Sequence, residues 1–228
     1  MQHFRKINTL KPFDWFLIIG IVALNIIYSV LLREIDFIGS VAAVSGVICV
    51  VMVARGNILN YIFGLVNVAL YAYISFKSEL YGDAVLNAVY YVPMQFVGWF
   101  NWIKNREAKD SVTVTSKTMN TSQRIILIVF SVAMVAIVGF ILDKLEDPQP
   151  YKDSATTVLS VIAMYLMVRT YVEQWSLWVV VNVISVIMWI VAFLRGDAHS
   201  MLMVIMWIFY LANSLNGWYT WIHLSSKK

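Results

Sequence analysis

The chain contains Tyr91, then six residues, then Gly98-Trp99-Phe100-Asn101-Trp102-Ile103. The same pattern returns 119 residues later as Tyr210, six residues and Gly217-Trp218-Tyr219-Thr220-Trp221-Ile222. Upstream, Val66-Asn67-Val68 is matched by Val181-Asn182-Val183 at an offset of 115 residues. These two echoes predict that the chain is a duplication, with four extra residues in the second copy at the hydrophilic turn 195–199.

The composition around these echoes is that of an integral membrane protein. Hydrophobic residues make up 61% of the chain and charged residues only 13%, well outside the usual range for a soluble domain. The net charge of +4 comes from residues that lie between apolar runs, so it does not indicate a nucleic-acid partner. The single cysteine, Cys49, lies within an apolar run, which excludes an intrachain disulfide and indicates a packing role.

Eight apolar runs predict eight membrane-spanning helices. A span needs about 20 apolar residues to cross a hydrocarbon core of roughly 30 Å, and over such lengths only a helix satisfies its own backbone in lipid. The runs are at about 14–32, 37–54, 58–76, 82–103, 123–142, 154–170, 174–194 and 200–222.

The distribution of basic residues predicts the orientation of these spans. With the N-terminus placed in the cytoplasm, 12 of the 17 Lys and Arg residues fall inside and 5 fall outside. This bias agrees with the positive-inside rule. Both termini are therefore predicted to be cytoplasmic.

The predicted fold is all-α, with eight transmembrane helices arranged as 1+3+1+3. Since three is an odd number, a single linking helix is needed to give the second triplet the orientation of the first. Two parallel triplets are a known transporter design that holds its substrate at the repeat interface. The predicted segments are an extra helix (1–35), the first triplet (36–104), a cytoplasmic linker (105–122), a linking helix with an external turn (123–152) and the second triplet (153–224).

Several chemistries are disfavoured by what the sequence lacks. It contains no HExxH, GxxxxGK[ST] or GxGxxG motif and no Ser/His/Asp set, so an enzyme has little support, and no cofactor or metal is predicted. No Asp, Glu or Lys falls near the centre of a predicted span. This argues against ion coupling, because coupled transporters usually keep an ionisable residue at depth.

The polar residues inside the spans are amides and aromatics that share helical faces. Such a lining suits a polar, aromatic, neutral small molecule, since amides form hydrogen bonds without the cost of a charge. The four faces are Asn67 and Tyr71; Asn87, Tyr91, Gln95, Trp99 and Trp102; Trp175, Trp178, Asn182, Ser185 and Trp189; and Tyr210, Asn213, Ser214, Gly217, Trp218 and Trp221.

Each of these features also has a structural interpretation. A single buried amide serves equally well as a hydrogen bond between helices. Trp102 and Trp221 lie next to the cytoplasmic boundary and are interpreted as interfacial anchors, whereas Trp178 lies deeper and is favoured as pocket lining. Gly98 and Gly217 are interpreted as points of close helix approach.

The combined motifs resemble the bacterial PnuC-type nicotinamide riboside transporters. They are the paired Gly-Trp-x-x-Trp ends, the segment 64–71 (GLVNVALY), the run Leu80-Tyr81-Gly82-Asp83 and the segment 174–182 (QWSLWVVVN). The resemblance covers about residues 35 to 223.

The resemblance implies a duplicated three-helix fold similar to that of the SWEET sugar transporters, assembled as a homotrimer in the bacterial inner membrane. It also implies uptake of nicotinamide riboside by facilitated diffusion, with phosphorylation by a cytoplasmic riboside kinase trapping the product for NAD synthesis. Carriers of other vitamins, such as thiamine, and SWEET-like sugar carriers remain the alternatives.

The family's midplane pocket, carried over by resemblance, falls on nine positions of this chain. Five match the pocket directly and four surround it. They are Asn67, Gln95, Trp178, Asn182 and Asn213, with Tyr71, Tyr91, Trp99 and Tyr210 around them.

Overall fold

A computed structural model describes residues 10–32, 37–77, 84–109, 111–146, 149–194 and 200–225. Within these ranges the chain forms eight helices and no strand longer than an isolated bridge. The helices are α1 (Pro12–Leu32), α2 (Phe37–Ala54), α3 (Asn60–Lys77), α4 (a π-helical turn, Leu86–Tyr91, continued by Val92–Lys104), α5 (Thr121–Lys144), α6 (Pro150–Val168), α7 (Gln174–Leu194) and α8 (Ser200–Ser225).

Each predicted apolar run corresponds to one of these helices, so the all-helical prediction is confirmed. The largest difference is at α6, which begins at Pro150 and not near residue 154. Proline is favoured in the first helical turn because its missing N–H would have no partner there. The predicted insertion at 195–199, the run Leu80-Tyr81-Gly82-Asp83 and the terminal charges before residue 10 and after residue 225 lie outside the described residues.

Three helices of the described chain are long and apolar enough, by length and composition, to cross a membrane. They are α2, α5 and the Gln174–Val191 part of α7. In α5 only Ser131 and Gly139 are buried, so nearly all of its apolar surface faces outward. It packs against α6, where the Ser154 hydroxyl donates to the Val135 carbonyl at 2.7 Å.

The chain divides into two compact units, Met1–Thr115 and Ser116–Lys228. In unit 1, α1 packs on α2, α2 on α3 and α3 on α4. In unit 2, α5 packs on α6, α6 on α7 and α7 on α8. Each unit thus contains four helices in which sequence neighbours are packed together.

The turns that precede α3 and α7 have a similar backbone conformation. Each turn contains a residue with a left-handed backbone conformation, two residues after the end of the preceding helix. These residues are Gly56, with φ 63°, and Thr170, with φ 60°. The next residue then forms an isolated bridge, Asn57 with Thr113 in unit 1 and Tyr171 with Lys117 in unit 2. A β-branched residue rarely adopts this conformation, so unit 2 keeps the shape of the turn at the expense of strain at Thr170.

The connection between α4 and α5, predicted as a polar linker, is bound closely to these turns. In unit 1, the Val114 N–H donates to the Gly56 carbonyl at 3.0 Å, and the Val114 side chain is fully buried. In unit 2, the Lys117 N–H donates to the Thr170 carbonyl at 2.9 Å, and the Ser116 hydroxyl donates to the Trp221 carbonyl at 2.8 Å. The linker is therefore part of the packed structure.

The repeated Gly-Trp-x-x-Trp motif forms the same aromatic contact in both units. A β-carbon on Gly98 would overlap the Tyr61 ring, and one on Gly217 would overlap the Trp175 ring. The Tyr61 ring then meets Trp102 edge-on at 5.0 Å between centroids. In unit 2 the Trp175 ring meets Trp221 edge-on at 6.0 Å.

This arrangement decides two of the sequence interpretations. Gly98 and Gly217 are points of close helix approach, as predicted. The anchor interpretation of Trp102 and Trp221 is wrong, because both side chains are 0% exposed and an interfacial anchor must reach the lipid headgroups. A repeated Gly four residues before Trp was the sequence feature that pointed to a packing slot.

A buried ion pair joins α1 to the end of α2 in unit 1. Arg55 donates from Nε and Nη2 to the two carboxylate oxygens of Asp14, both at 2.7 Å. Asp14 also accepts the Lys11 N–H at 2.7 Å. The Arg55 and Asp14 side chains are 5% and 0% exposed. The corresponding turn residue of unit 2, Arg169, is exposed and lies over the Tyr165 ring.

Candidate functional site

In unit 1 the predicted residues Asn67 and Gln95 lie where α2, α3 and α4 come together. Asn67 donates its Nδ2 to the Ala42 carbonyl of α2 at 2.8 Å. Gly46 makes room for it, since a β-carbon there would lie 2.7 Å from that nitrogen. The amide of Asn67 thus links α3 to α2, which is the structural role left open by the sequence.

Gln95 differs from Asn67 because its acceptor is unused. Its side chain is 5% exposed, and Oε1 has no hydrogen-bond partner among the described residues. The oxygen lies against Gly64 of α3, where a β-carbon would be 2.5 Å away from it and 3.0 Å from Cys49 Sγ. A buried acceptor without a partner costs about 1–3 kcal/mol, so Gln95 is the stronger ligand candidate of the two.

Tyr91 ends a π-helical turn that the sequence analysis did not predict. The Val92 N–H donates to the Asn87 carbonyl, five residues back, as in a π-helix. Pro93 follows at once and lacks the N–H that an α-helix would use, so it is the sequence feature that should have suggested the irregularity. The widened turn lies at Tyr91, which meets the Tyr90 ring edge-on at 5.2 Å.

The other two aromatic candidates of unit 1 are less enclosed. Trp99 is half-buried on α4, and Tyr71 is 46% exposed on α3. Tyr71 lies four residues after Asn67 and shares its face. The side chains of Trp99 and Tyr71 are therefore both more exposed than that of Gln95.

In unit 2 a buried polar pair joins α7 to α8. Asn182 donates its Nδ2 to the Ser214 hydroxyl at 2.8 Å, and both residues are 4% exposed. Trp178 is half-buried one turn before Asn182. Next to Ser214, Asn213 is 3% exposed, and the half-buried Tyr210 meets Trp207 edge-on at 5.6 Å.

Asn67 and Asn182 were matched by pattern, but they are not equivalent positions. Asn60 and Gln174 begin α3 and α7, an offset of 114 residues, so the residue that corresponds to Asn67 is Val181. The hydrogen bonds agree, because Asn67 binds the preceding helix and Asn182 binds the following one. The predicted offset of 115 was therefore one residue too long.

The helices that carry these side chains are uncharged at depth. In α2, α3, α4, α6, α7 and α8 every Lys, Arg, Asp and Glu falls within the first or last four residues. Among the described residues no three His, Cys, Asp or Glu side chains form a group able to hold a metal. What the two units offer a ligand is therefore hydrogen bonding and aromatic surface.

An all-helical chain with apolar spans that carry buried amides belongs to the class of multi-pass membrane proteins. The family model described as Nicotinamide mononucleotide transporter matches residues 36–223. The chain belongs to this family of membrane transporters, and it is not an enzyme.

Relatives with assigned names and a solved structure agree with this membership. The Nicotinamide riboside transporter PnuC of Neisseria mucosa is 38% identical over 195 residues, covering 84% of this chain and 74% of the relative. The protein of the same name from Haemophilus influenzae is 31% identical, covering 84% and 82%. The crystal structure of the Vitamin B3 transporter PnuC aligns with a TM-score of 0.79 and 33% identity, covering 100% of this chain and 99% of that chain.

Proposed function

We propose that this protein carries nicotinamide riboside into the cell by facilitated diffusion and so supplies NAD synthesis. The observation that carries the proposal is the uncharged set of buried amides and aromatic rings in a chain whose relatives are named nicotinamide riboside transporters. The proposed binding residues are Asn67, Tyr71, Tyr91, Gln95, Trp99, Trp178, Asn182, Tyr210 and Asn213.

The chemistry of the riboside matches these side chains. Its pyridinium ring is a cation that the face of Trp or Tyr attracts without an acidic partner. Its carboxamide and ribose hydroxyls both donate and accept hydrogen bonds, as Gln95 and Asn182 do. The described central parts of α2–α4 and α6–α8 contain no carboxylate, which favours release, since very tight binding of a cation would slow transit.

The same neutrality favours the riboside over the mononucleotide named in the family description. The mononucleotide carries an additional phosphate, with a charge of about −1.5 to −2 at pH 7. Burying such a charge is costly unless a cation pairs with it. Since the central parts of α2–α4 and α6–α8 contain no Lys or Arg, they provide no such partner.

We further propose the 1+3+1+3 arrangement with eight spans, a SWEET-like duplicated fold and both termini in the cytoplasm. The triplets are 36–104 and 153–224, preceded by the extra helix and separated by the linker and linking helix. Assembly as a homotrimer in the bacterial inner membrane and trapping of the product by a cytoplasmic riboside kinase complete the proposal. The bias of 12 inside to 5 outside Lys and Arg supports the orientation.

Transport by purified protein tests the proposed function. We expect proteoliposomes to take up labelled nicotinamide riboside only until the inside and outside concentrations are equal. Because the described central parts of α2–α4 and α6–α8 contain no Lys, Arg, Asp or Glu, a pH or sodium gradient should not raise that level. Excess unlabelled riboside should compete, whereas nicotinamide mononucleotide and thiamine should not.

Uniport and the preference for the riboside over the mononucleotide each have a contrary result in this assay. Accumulation above equilibrium in the presence of a gradient would exclude uniport. Competition by the mononucleotide as strong as by the riboside would exclude the preference for the uncharged sugar. Protein-free liposomes are the control for leakage.

Asn182→Leu and Trp178→Ala are expected to weaken riboside binding by about tenfold or more, the loss of one good hydrogen bond or ring contact. The measurement is isothermal titration of detergent-solubilised protein. Val180→Ala, an exposed position on the same helix, is the matched control and should bind normally. If both site variants bound the riboside as wild type does, the assignment of α7 to the site would be wrong.

A further inference from the structure

Gln174 lies one helical turn before Trp178 on α7 and is not among the proposed binding residues. Gln174, Trp178 and Asn182 follow one another at intervals of four residues, and residues at this interval lie on one face of a helix. With a rise of 1.5 Å per residue, Gln174 and Asn182 are separated by about 12 Å along the axis, with Trp178 midway. The order along this face is amide, indole, amide.

Gln174 is buried with all of its hydrogen-bonding capacity unused. Its side chain is 0% exposed, and neither Nε2 nor Oε1 has a partner within the described part of the chain. The residue that corresponds to it in unit 1, Asn60, donates its Nδ2 to the Asn57 carbonyl at 2.8 Å, and only its Oδ1 lacks a partner. Buried amides with two unused groups are rare in native proteins, because each costs stability.

We propose that Gln174 binds the carboxamide of the substrate and thereby sets the orientation of the bound molecule. A primary amide offers N–H donors beside a carbonyl acceptor, which is the complement of a second primary amide. The sequence of groups in nicotinamide riboside is carboxamide, pyridinium ring and ribose. It runs parallel to Gln174, Trp178 and the hydrogen-bonded pair of Asn182 and Ser214.

This inference rests on the proposed function, since it assigns one end of the same ligand. It also explains why the Gln174 amide is buried, since without a ligand this burial only lowers the stability of the folded protein. A glutamine that merely linked helices would spend its donor or acceptor within the protein, as Asn67 does on the Ala42 carbonyl. Gln174 is therefore a specificity-determining residue for the amide group.

The test compares two ligands on the variant Gln174→Met, which keeps the length of the side chain and removes its polar atoms. The dissociation constant of nicotinamide riboside should rise by about tenfold or more, as expected for the loss of two neutral hydrogen bonds. The dissociation constant of the pyridinium riboside without a carboxamide should stay the same. The melting temperature of ligand-free protein should not fall, because no hydrogen bond within the protein is lost.

Asn60→Leu is the matched control at the corresponding position of unit 1. It removes the bond to the Asn57 carbonyl, so the melting temperature should fall while the ratio of the two dissociation constants stays that of wild type. Equal losses for both ligands in Gln174→Met, or a fall in its ligand-free melting temperature, would show a structural role and overturn the inference. If wild-type protein bound neither riboside, the proposed function would be overturned together with it.

Discussion

Arg55→Met should lower the free energy of unfolding by about 3–5 kcal/mol, the usual cost of removing one partner from a buried ion pair. The substitution leaves the Asp14 carboxylate buried, with the Lys11 N–H as its remaining hydrogen-bond donor among the described residues. The apolar side chain of methionine replaces most of the volume of arginine, so the loss is mainly electrostatic. Equilibrium unfolding in mixed micelles, or the melting temperature in detergent, measures the effect.

The double variant Asp14→Asn/Arg55→Met separates charge from packing. Asparagine keeps an acceptor for the Lys11 N–H while removing the stranded charge, so most of the lost stability should return. Arg169→Met, at the corresponding turn of unit 2, is the matched control. Its guanidinium is exposed, and we expect a change of about 1 kcal/mol or less. A loss for Arg169→Met as large as that for Arg55→Met would contradict this account.

Gly98→Ala and Gly217→Ala should each destabilise the protein by about 1–3 kcal/mol, the cost of overpacking a filled contact. In both, the added methyl group would overlap the aromatic ring that fills the slot, Tyr61 in unit 1 and Trp175 in unit 2. The two units thus give two independent measurements of the same kind of contact. The melting temperature in detergent is again the measurement.

A smaller ring partner should relieve this overlap. Tyr61→Leu alone should destabilise, because it loses the edge contact with Trp102. Combined with Gly98→Ala it should cost less than the two single changes together, since the methyl then has room. Val97→Ala, an exposed neighbour on α4, is the control and should change little. Additive losses of stability in the double variant would mean that the role of Gly98 is not to make room for the Tyr61 ring.

The helices were predictable from the sequence because lipid leaves the backbone few alternatives. A long apolar run must satisfy its backbone internally, so its length and position largely define the helix. The Gly-Trp-x-x-Trp echo marked corresponding points of the two units, and the lack of charge at depth limited the chemistry of any ligand. The π-helical turn that ends at Tyr91 was not predicted, although Pro93 indicated an irregularity.

The sequence did not determine which polar side chains have partners. Helices that are apolar on most sides give little indication of which face meets which neighbour, so the rotation of each helix is set by packing. Only the tertiary structure shows that Asn67 is bonded to the Ala42 carbonyl whereas Gln95 and Gln174 keep unused groups. The burial of Trp102 and Trp221 and the pairing of Asp14 with Arg55, 41 residues apart, depend on the same packing.

The sequence by itself therefore determined a helical, multi-pass membrane protein whose central spans lack charge, since these properties follow from hydrophobicity and from residue type at each position. The tertiary structure decided the roles of its polar residues. Hydrogen bonds between helices require contact at one particular rotation of each helix, and a pattern within one helix does not specify its neighbour. The repeat that first marks the fold, Gly98 to Trp102 with its echo Gly217 to Trp221, is in the structure a packing slot for an aromatic ring.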